Sequence, residues 1–136
     1  MGVRFDLANY PVIVVKFPSE GDDGDIHAWY DDVERFLETA ETPIAFVDDL
    51  RSLELAATTA SQRRVAAERH DRLVRSHASK HAGNARIVSG PIVLAILRVF
   101  DWLSPAPWPV AVFRDMDEAI AWCRVRVEEL GRADPG

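Results

Sequence analysis

An α/β fold, with an open and largely parallel sheet of four to five strands and helices packed against it, is the architecture this sequence predicts. Three observations carry it. β-branched apolar runs recur along the chain, stretches with helical spacing lie between them, and turn residues separate the two kinds of segment. Strands that alternate with helices are joined by crossovers rather than hairpins, which lets them run side by side in one direction.

The first strand is Pro11 to Phe17, PVIVVKF, closed by Pro18 and the turn-rich SEGDDGD. Asp25 is positioned to cap a helix from Ile26 to about Thr39, in which Ile26, Trp29, Tyr30, Val33, Phe36 and Leu37 share one side and Asp31, Asp32, Glu34, Arg35 and Glu38 occupy much of the other. Thr42-Pro43 breaks that pattern. A second short strand, Ile44 to Val47, then ends in the carboxylates Asp48 and Asp49.

From Thr59 or Ser61 a long helix rich in Ala, Arg and Glu runs toward Gly83-Asn84, a dipeptide expected to stop it. Ala85 to Ser89 makes a third strand, and Gly90-Pro91 opens an apolar helix from Ile92 to Leu103, with proline where a missing N–H costs little. After the linker Ser104-Pro105-Ala106-Pro107 comes a fourth strand, Pro109 to Phe113. Asp115, with Glu118 three residues on, caps the last helix, Met116 to about Leu130, which Gly131 is expected to end.

The 136 residues fit one domain, 1–136, with an ordered core of about 10–130, and a hydrophobic fraction of 48% is enough to bury a core. A formal charge of -6 argues against nucleic acid or an anionic membrane as the general partner. The charge is uneven: residues 1–58 carry 4 basic and 13 acidic groups, whereas 59–86 carry 7 basic and 2 acidic. Cys123 is the only cysteine, so no intrachain disulfide and no thiolate metal cluster is expected. The N-terminal residues lack a signal pattern, and no apolar run reaches the roughly 20 residues of a membrane helix. A cytoplasmic protein that is not integral to a membrane is expected.

The C-terminal half also carries a resemblance. The segments Asp101-Trp102-Leu103-Ser104-Pro105, Trp108-Pro109, Val112-Phe113 and Met116 to Trp122, with Phe46-Val47-Asp48-Asp49-Leu50-Arg51 earlier in the chain, resemble the SpoIIAA-like (STAS/SEC14-type) family of small bacterial domains over roughly residues 10–130. The resemblance implies an α/β sandwich without a catalytic centre, used for protein interaction, phosphorylation-dependent regulation or apolar-ligand binding. In anti-anti-sigma relatives, a Ser in an Asp-Ser-Ser-Gly-like turn after the central strand is phosphorylated by a partner kinase. Here the corresponding stretch, Leu55 to Ala60, has no Ser-Gly pair. Thr58 and Thr59 are therefore expected to cap the long helix, without phosphorylation regulating the domain.

Four constellations remain. His70, His77 and His81 lie on one side of the long helix if it reaches His81, but Ala66, Leu73 and Val74 border that side, so a structural role is preferred to metal binding. Arg63, Arg64, Arg72 and Arg75, with Arg69 and Lys80, offer a basic surface to an acidic partner or a phosphate, against the simpler reading of a solvated face. Of the adjacent Asp48 and Asp49, one alone can point into a crevice, which disfavours a paired-carboxylate acid and base. Phe100, Trp102, Trp108 and Phe113 either complete the core or line an apolar pocket.

No phosphate loop, nucleophile elbow or Cys/His pair occurs. The leading expectation is a non-enzymatic regulatory or protein-interaction module, without catalytic residue, metal or cofactor. The alternative is a carrier or sensor for an apolar or lipid-like molecule. A homodimer is compatible with either.

Overall fold

The run Val12 to Val15 has no polar side, so it is stable only as a strand covered on both faces. In the computed structural model, which describes residues 2–54 and 58–133, this run is almost fully buried within a five-stranded sheet. The strands are β1 (Arg4–Asp6), β2 (Val12–Lys16), β3 (Ile44–Asp49), β4 (His81–Ile87) and β5 (Val110–Phe113). The helices are α1 (Asp23–Thr39), α2 (Ala60–His77), α3 (Pro91–Leu103) and α4 (Met116–Ala133). Strand order follows chain order, with β2 to β5 parallel and β1 antiparallel to β2. The α/β class and the largely parallel sheet are those the sequence indicates. β1, three residues on the edge, has too short a pattern to register in it.

The pleat sorts the strand residues onto two faces. Val12 and Val14, Ala45 and Val47, and Ala82, Ala85 and Ile87 meet Ala119 and Cys123 of α4. Ile13 and Val15, Ile44 and Phe46 turn the other way, toward Tyr30, Val33 and Leu37 of α1 and Leu73 of α2. On that second face β3 continues with Asp48, and β4 presents His81, Asn84 and Arg86, all buried. The face is mostly apolar, with Asp48, Asn84 and Arg86 polar toward the C-terminal ends of the strands and His81 at the start of β4.

Three boundaries differ from the sequence reading. Asp22 caps α1, with its side chain accepting from the Asp25 N–H at 2.8 Å while Asp25 returns the bond to the Asp22 N–H at 2.9 Å. Asp25 is thus the third helical residue of a reciprocal cap rather than the cap itself. α2 ends at His77 and a short 3-10 turn, Ala78–Lys80, leads into β4, so Gly83-Asn84 lies inside a strand. Packing overrides the turn signal there: a Cβ on Gly83 would stand 3.2 Å from Arg126 Cγ and 3.3 Å from both the Pro109 carbonyl and the Trp122 ring. α4 runs through Gly131 to Ala133, since a glycine in an exposed helix end costs about 1 kcal/mol and does not by itself stop the helix.

Thr59 caps α2, its hydroxyl accepting from the Gln62 N–H at 3.0 Å and its own N–H donating to Gln62 Oε1 at 2.8 Å. The preceding stretch, Leu55 to Ala57, where the Ser-Gly turn of the resemblance would fall, lies outside the described residues.

Arg69 locks α2 to α1. Its guanidinium is buried, 2.6 Å from Asp31 and 3.4 Å from Glu34, and it also donates to the His27 carbonyl.

Candidate functional site

Among the described residues α3 is the one α-helix with no buried residue, and none of its side chains belongs to either apolar cluster. It nevertheless turns Ile96, Leu97, Phe100 and Leu103 inward, and between them and the sheet lies a cavity of about 880 Å³. That volume falls within the range of about 300–1,000 Å³ usual for small-molecule sites. α1 contributes Ile26, Trp29, Tyr30 and Val33 to the wall, and α2 contributes Ala66, Ala67, His70 and Leu73. The sheet supplies the floor: Phe46, Asp48, His81, Asn84 and Arg86, with Trp108 beside them. The site sits toward the C-terminal ends of parallel strands, where open α/β sheets characteristically hold ligands.

The apolar wall surrounds an ordered polar row. Asn84 donates to Asp48 Oδ2 at 3.1 Å and to the Phe46 carbonyl at 3.3 Å, and its own carbonyl accepts from Arg86 Nε at 3.2 Å. Arg86 Nη1 then reaches Asp101 of α3, at 2.6 and 2.7 Å from its two oxygens. Arg86 Nη2 has no hydrogen-bond acceptor among the described residues. Burial pushes the Asp48 carboxyl up to about 6, against the Arg86 charge and the Asn84 hydrogen bond, which both pull it down. Burial, and then the charge of Asp48, raise the Tyr30 hydroxyl above its ordinary value.

Two histidines complete the wall in neutral form. His81 lies flat on Trp108, with ring centroids 3.8 Å apart, and burial drives it down to about 3. His70 meets Phe100 and Trp108 edge-on, and burial followed by the Arg86 charge lowers it as well. Among the described residues, His70 Nε2, His81 Nδ1 and Trp29 Nε1 are buried without a hydrogen-bond partner. A buried polar atom left unpaired costs about 1–3 kcal/mol, so this wall has bonding capacity to give to an occupant.

The structure distributes the residues singled out from sequence. Phe100 and Trp108 line the cavity. Trp102 does not: it lies on the outer side of α3 and is 82% exposed. Phe113 is on the opposite face of the sheet, where it packs against Trp122. The strand pleat and the helix period separate these four rings, which proximity in sequence had grouped. The histidines also part company: His81 is on a strand, and His77 bonds Glu38 of α1 at 2.9 Å. Among the described residues no three His, Cys, Asp or Glu side chains are gathered as a metal site.

On α2, Arg64 and Arg75 face solvent, Arg72 pairs with Glu34 at 3.1 Å, and Arg63 reaches back to Thr58. The buried Arg69 is lost to the basic surface. Asp48 and Asp49 divide as the pleat requires: Asp48 joins the polar row, while Asp49 is tied to Arg51 by bonds of 2.8 and 2.9 Å, which hold its carboxyl below the ordinary range. Asn84 and Arg86 are the site residues missed in the sequence. Their signal is the period-two pattern Asn84-Ala85-Arg86-Ile87, obscured by reading Gly83-Asn84 as a helix stop.

A solved structure is similar over nearly the whole chain, that of an uncharacterized protein from the DUF3478 family with a SpoIIAA-like fold from Shewanella loihica PV-4. The two share a TM-score of 0.60 and 20% identity, over 90% of this chain and 92% of that one. The fold is SpoIIAA-like. No protein-family model matches the sequence, and no curated protein matches it significantly. Within this SpoIIAA-like domain, no described helix is long and apolar enough to cross a membrane. The cavity therefore has to be read from its own residues.

Proposed function

We propose that this SpoIIAA-like domain is a non-enzymatic binding module that encloses a small, largely apolar molecule beneath α3. The carrying observation is the cavity of about 880 Å³, walled by aromatic and aliphatic side chains and flanked by a helix that contributes nothing to the core. Apolar surface removed from water gains about 25 cal/mol per Å², so a site of this lining favours a mostly hydrocarbon or aromatic guest. Trp29, His70 and Arg86 would orient its polar end. The remaining reactive group stays out of reach: Cys123 lies on the α4 side of the sheet, its thiol pushed up to about 12 by burial.

Native mass spectrometry of protein purified without added ligand tests this reading. The expected result is a co-purifying species of a few hundred daltons, roughly drug-sized, that disappears in Ala67→Phe, a variant that fills the cavity. A bare chain that also fails to take up any apolar probe would remove the proposal.

A regulatory or protein-interaction role is the second reading. It is supported by the outer side of α3, where Ile92 and Trp102 are exposed. The two readings separate by variant: Trp102→Ala would impair partner binding and leave ligand loading intact.

A further inference from the structure

α3 is held to the sheet by a single ion pair among the described residues, Arg86 to Asp101. The pair is unequal. The Arg86 side chain is 7% exposed and fixed in the floor by Asn84, while Asp101 is 38% exposed on a helix without a buried residue. Both Asp101 oxygens lie against the same nitrogen, Nη1, and Nη2 has no acceptor among the described residues, while Arg86 itself lines the cavity. A guanidinium presents a planar fork that matches a carboxylate with two parallel bonds, an arrangement Asp101 does not achieve.

We infer that the guest of this cavity is an apolar monocarboxylic acid, and that its carboxylate takes the place of Asp101 on Arg86. This rests on the reading of the cavity as a ligand site. Arg86 lines the cavity, and Asp101, which is not among the cavity's lining residues, shows that its guanidinium accommodates a carboxylate. The exchange conserves charge at Arg86, because one carboxylate replaces another. It favours the incoming group in two ways: Asp101 recovers its hydration at little cost, being partly exposed, and the new carboxylate can use both Nη1 and Nη2. Asp48 does not fill this role, since it is bonded to Asn84 rather than to Arg86. The displaced Asp101 leaves α3 without its ion pair to β4, so occupancy and the position of this helix are linked.

Titration with laurate, dodecanol and dodecylamine, which share one hydrocarbon tail, isolates the head group. At a pH where laurate is ionised, the wild-type chain is expected to bind laurate about tenfold more tightly than dodecanol, and dodecylamine more weakly still. Arg86→Met is expected to abolish the preference for laurate over dodecanol. Asp101→Asn, at a partly exposed position, is expected to strengthen laurate binding about fivefold by weakening the competitor, with dodecanol unaffected. The substitution at Arg86 is buried, so if that variant fails to fold the Asp101→Asn result decides. Dodecanol binding as tightly as laurate would overturn the carboxylate inference and leave the cavity reading standing. So would Asp101→Asn weakening all three probes alike, which is the behaviour of a purely structural ion pair. Failure of all three probes to bind saturably would overturn both.

Discussion

The imidazole of His81 lies parallel to the indole of Trp108 within 5°, centroids 3.8 Å apart, at the junction of the sheet with the cavity. Stacked and desolvated, His81 is neutral when folded, whereas in the unfolded chain it takes a proton at its ordinary value of 6.5. The unfolded state therefore binds more protons as pH falls from about 6.5 toward 3, and stability declines over that window. His70 acts in the same direction. Asp48 acts in the opposite one: raised from 3.8 to about 6, it binds a proton in the folded state first, which adds stability as pH falls through about 6 toward 3.8. Urea unfolding between neutral pH and about pH 4 is expected to show a shallower loss for His81→Phe than for wild type, and a steeper one for Asp48→Asn, each difference on the order of a few kcal/mol.

Arg69 and Arg64 are one turn and a residue apart on α2, yet their substitutions are expected to differ widely. Arg69→Ala removes the buried partner of Asp31 and Glu34 and should cost about 3–5 kcal/mol. Arg64→Ala alters a solvated side chain and should change stability by under about 0.5 kcal/mol. Chemical denaturation of both variants checks the pair. Similar losses would contradict the assignment of Arg69 as the tie between α1 and α2.

Gly83→Val places a branched side chain where even a Cβ comes within 3.3 Å of the Pro109 backbone carbonyl and the Trp122 ring. Overpacking of this kind costs about 1–3 kcal/mol, and a thermal melt is expected to show it. A melt equal to wild type would mean that α4 and β5 can withdraw from β4.

This last position also shows where the sequence is legible. The β-branched run of β2, the Thr59 cap and the Pro91 start of α3 are written in local chemistry, so pattern and propensity find them. Gly83-Asn84 carries the local chemistry of a stop, yet it pairs with β3 and β5 on its two sides, and the approach of Trp122 and Arg126 from α4 leaves little room there for a Cβ. The candidate site is legible in part for the same reason. Phe100 and Trp108 stand out as large rings, but Asn84 and Arg86 acquire meaning only when the pleat turns both beneath α3. Trp102 and Phe113 look equivalent to them in sequence, and helix phase and sheet face send them elsewhere.

The exposed apolar side of α3 yields a separate expectation. Trp102 is packed against nothing that would be lost, so Trp102→Ser should leave the melting temperature within about a degree of wild type, an effect below about 0.5 kcal/mol. A larger fall, dependent on protein concentration, would show that this face is covered by a second copy of the chain in solution.

Ala67 is a small residue on the α2 wall, and enlarging it subtracts from the cavity without touching the polar row. Titrating wild type and Ala67→Phe with dodecanol, followed by tryptophan fluorescence from Trp29 and Trp108, is the most direct measurement of whether the space beneath α3 is a binding site. Saturable one-to-one binding to wild type, weakened about tenfold or more in a variant that melts no lower, is the expected result. Binding of equal strength to both, or saturable binding to neither, would contradict it.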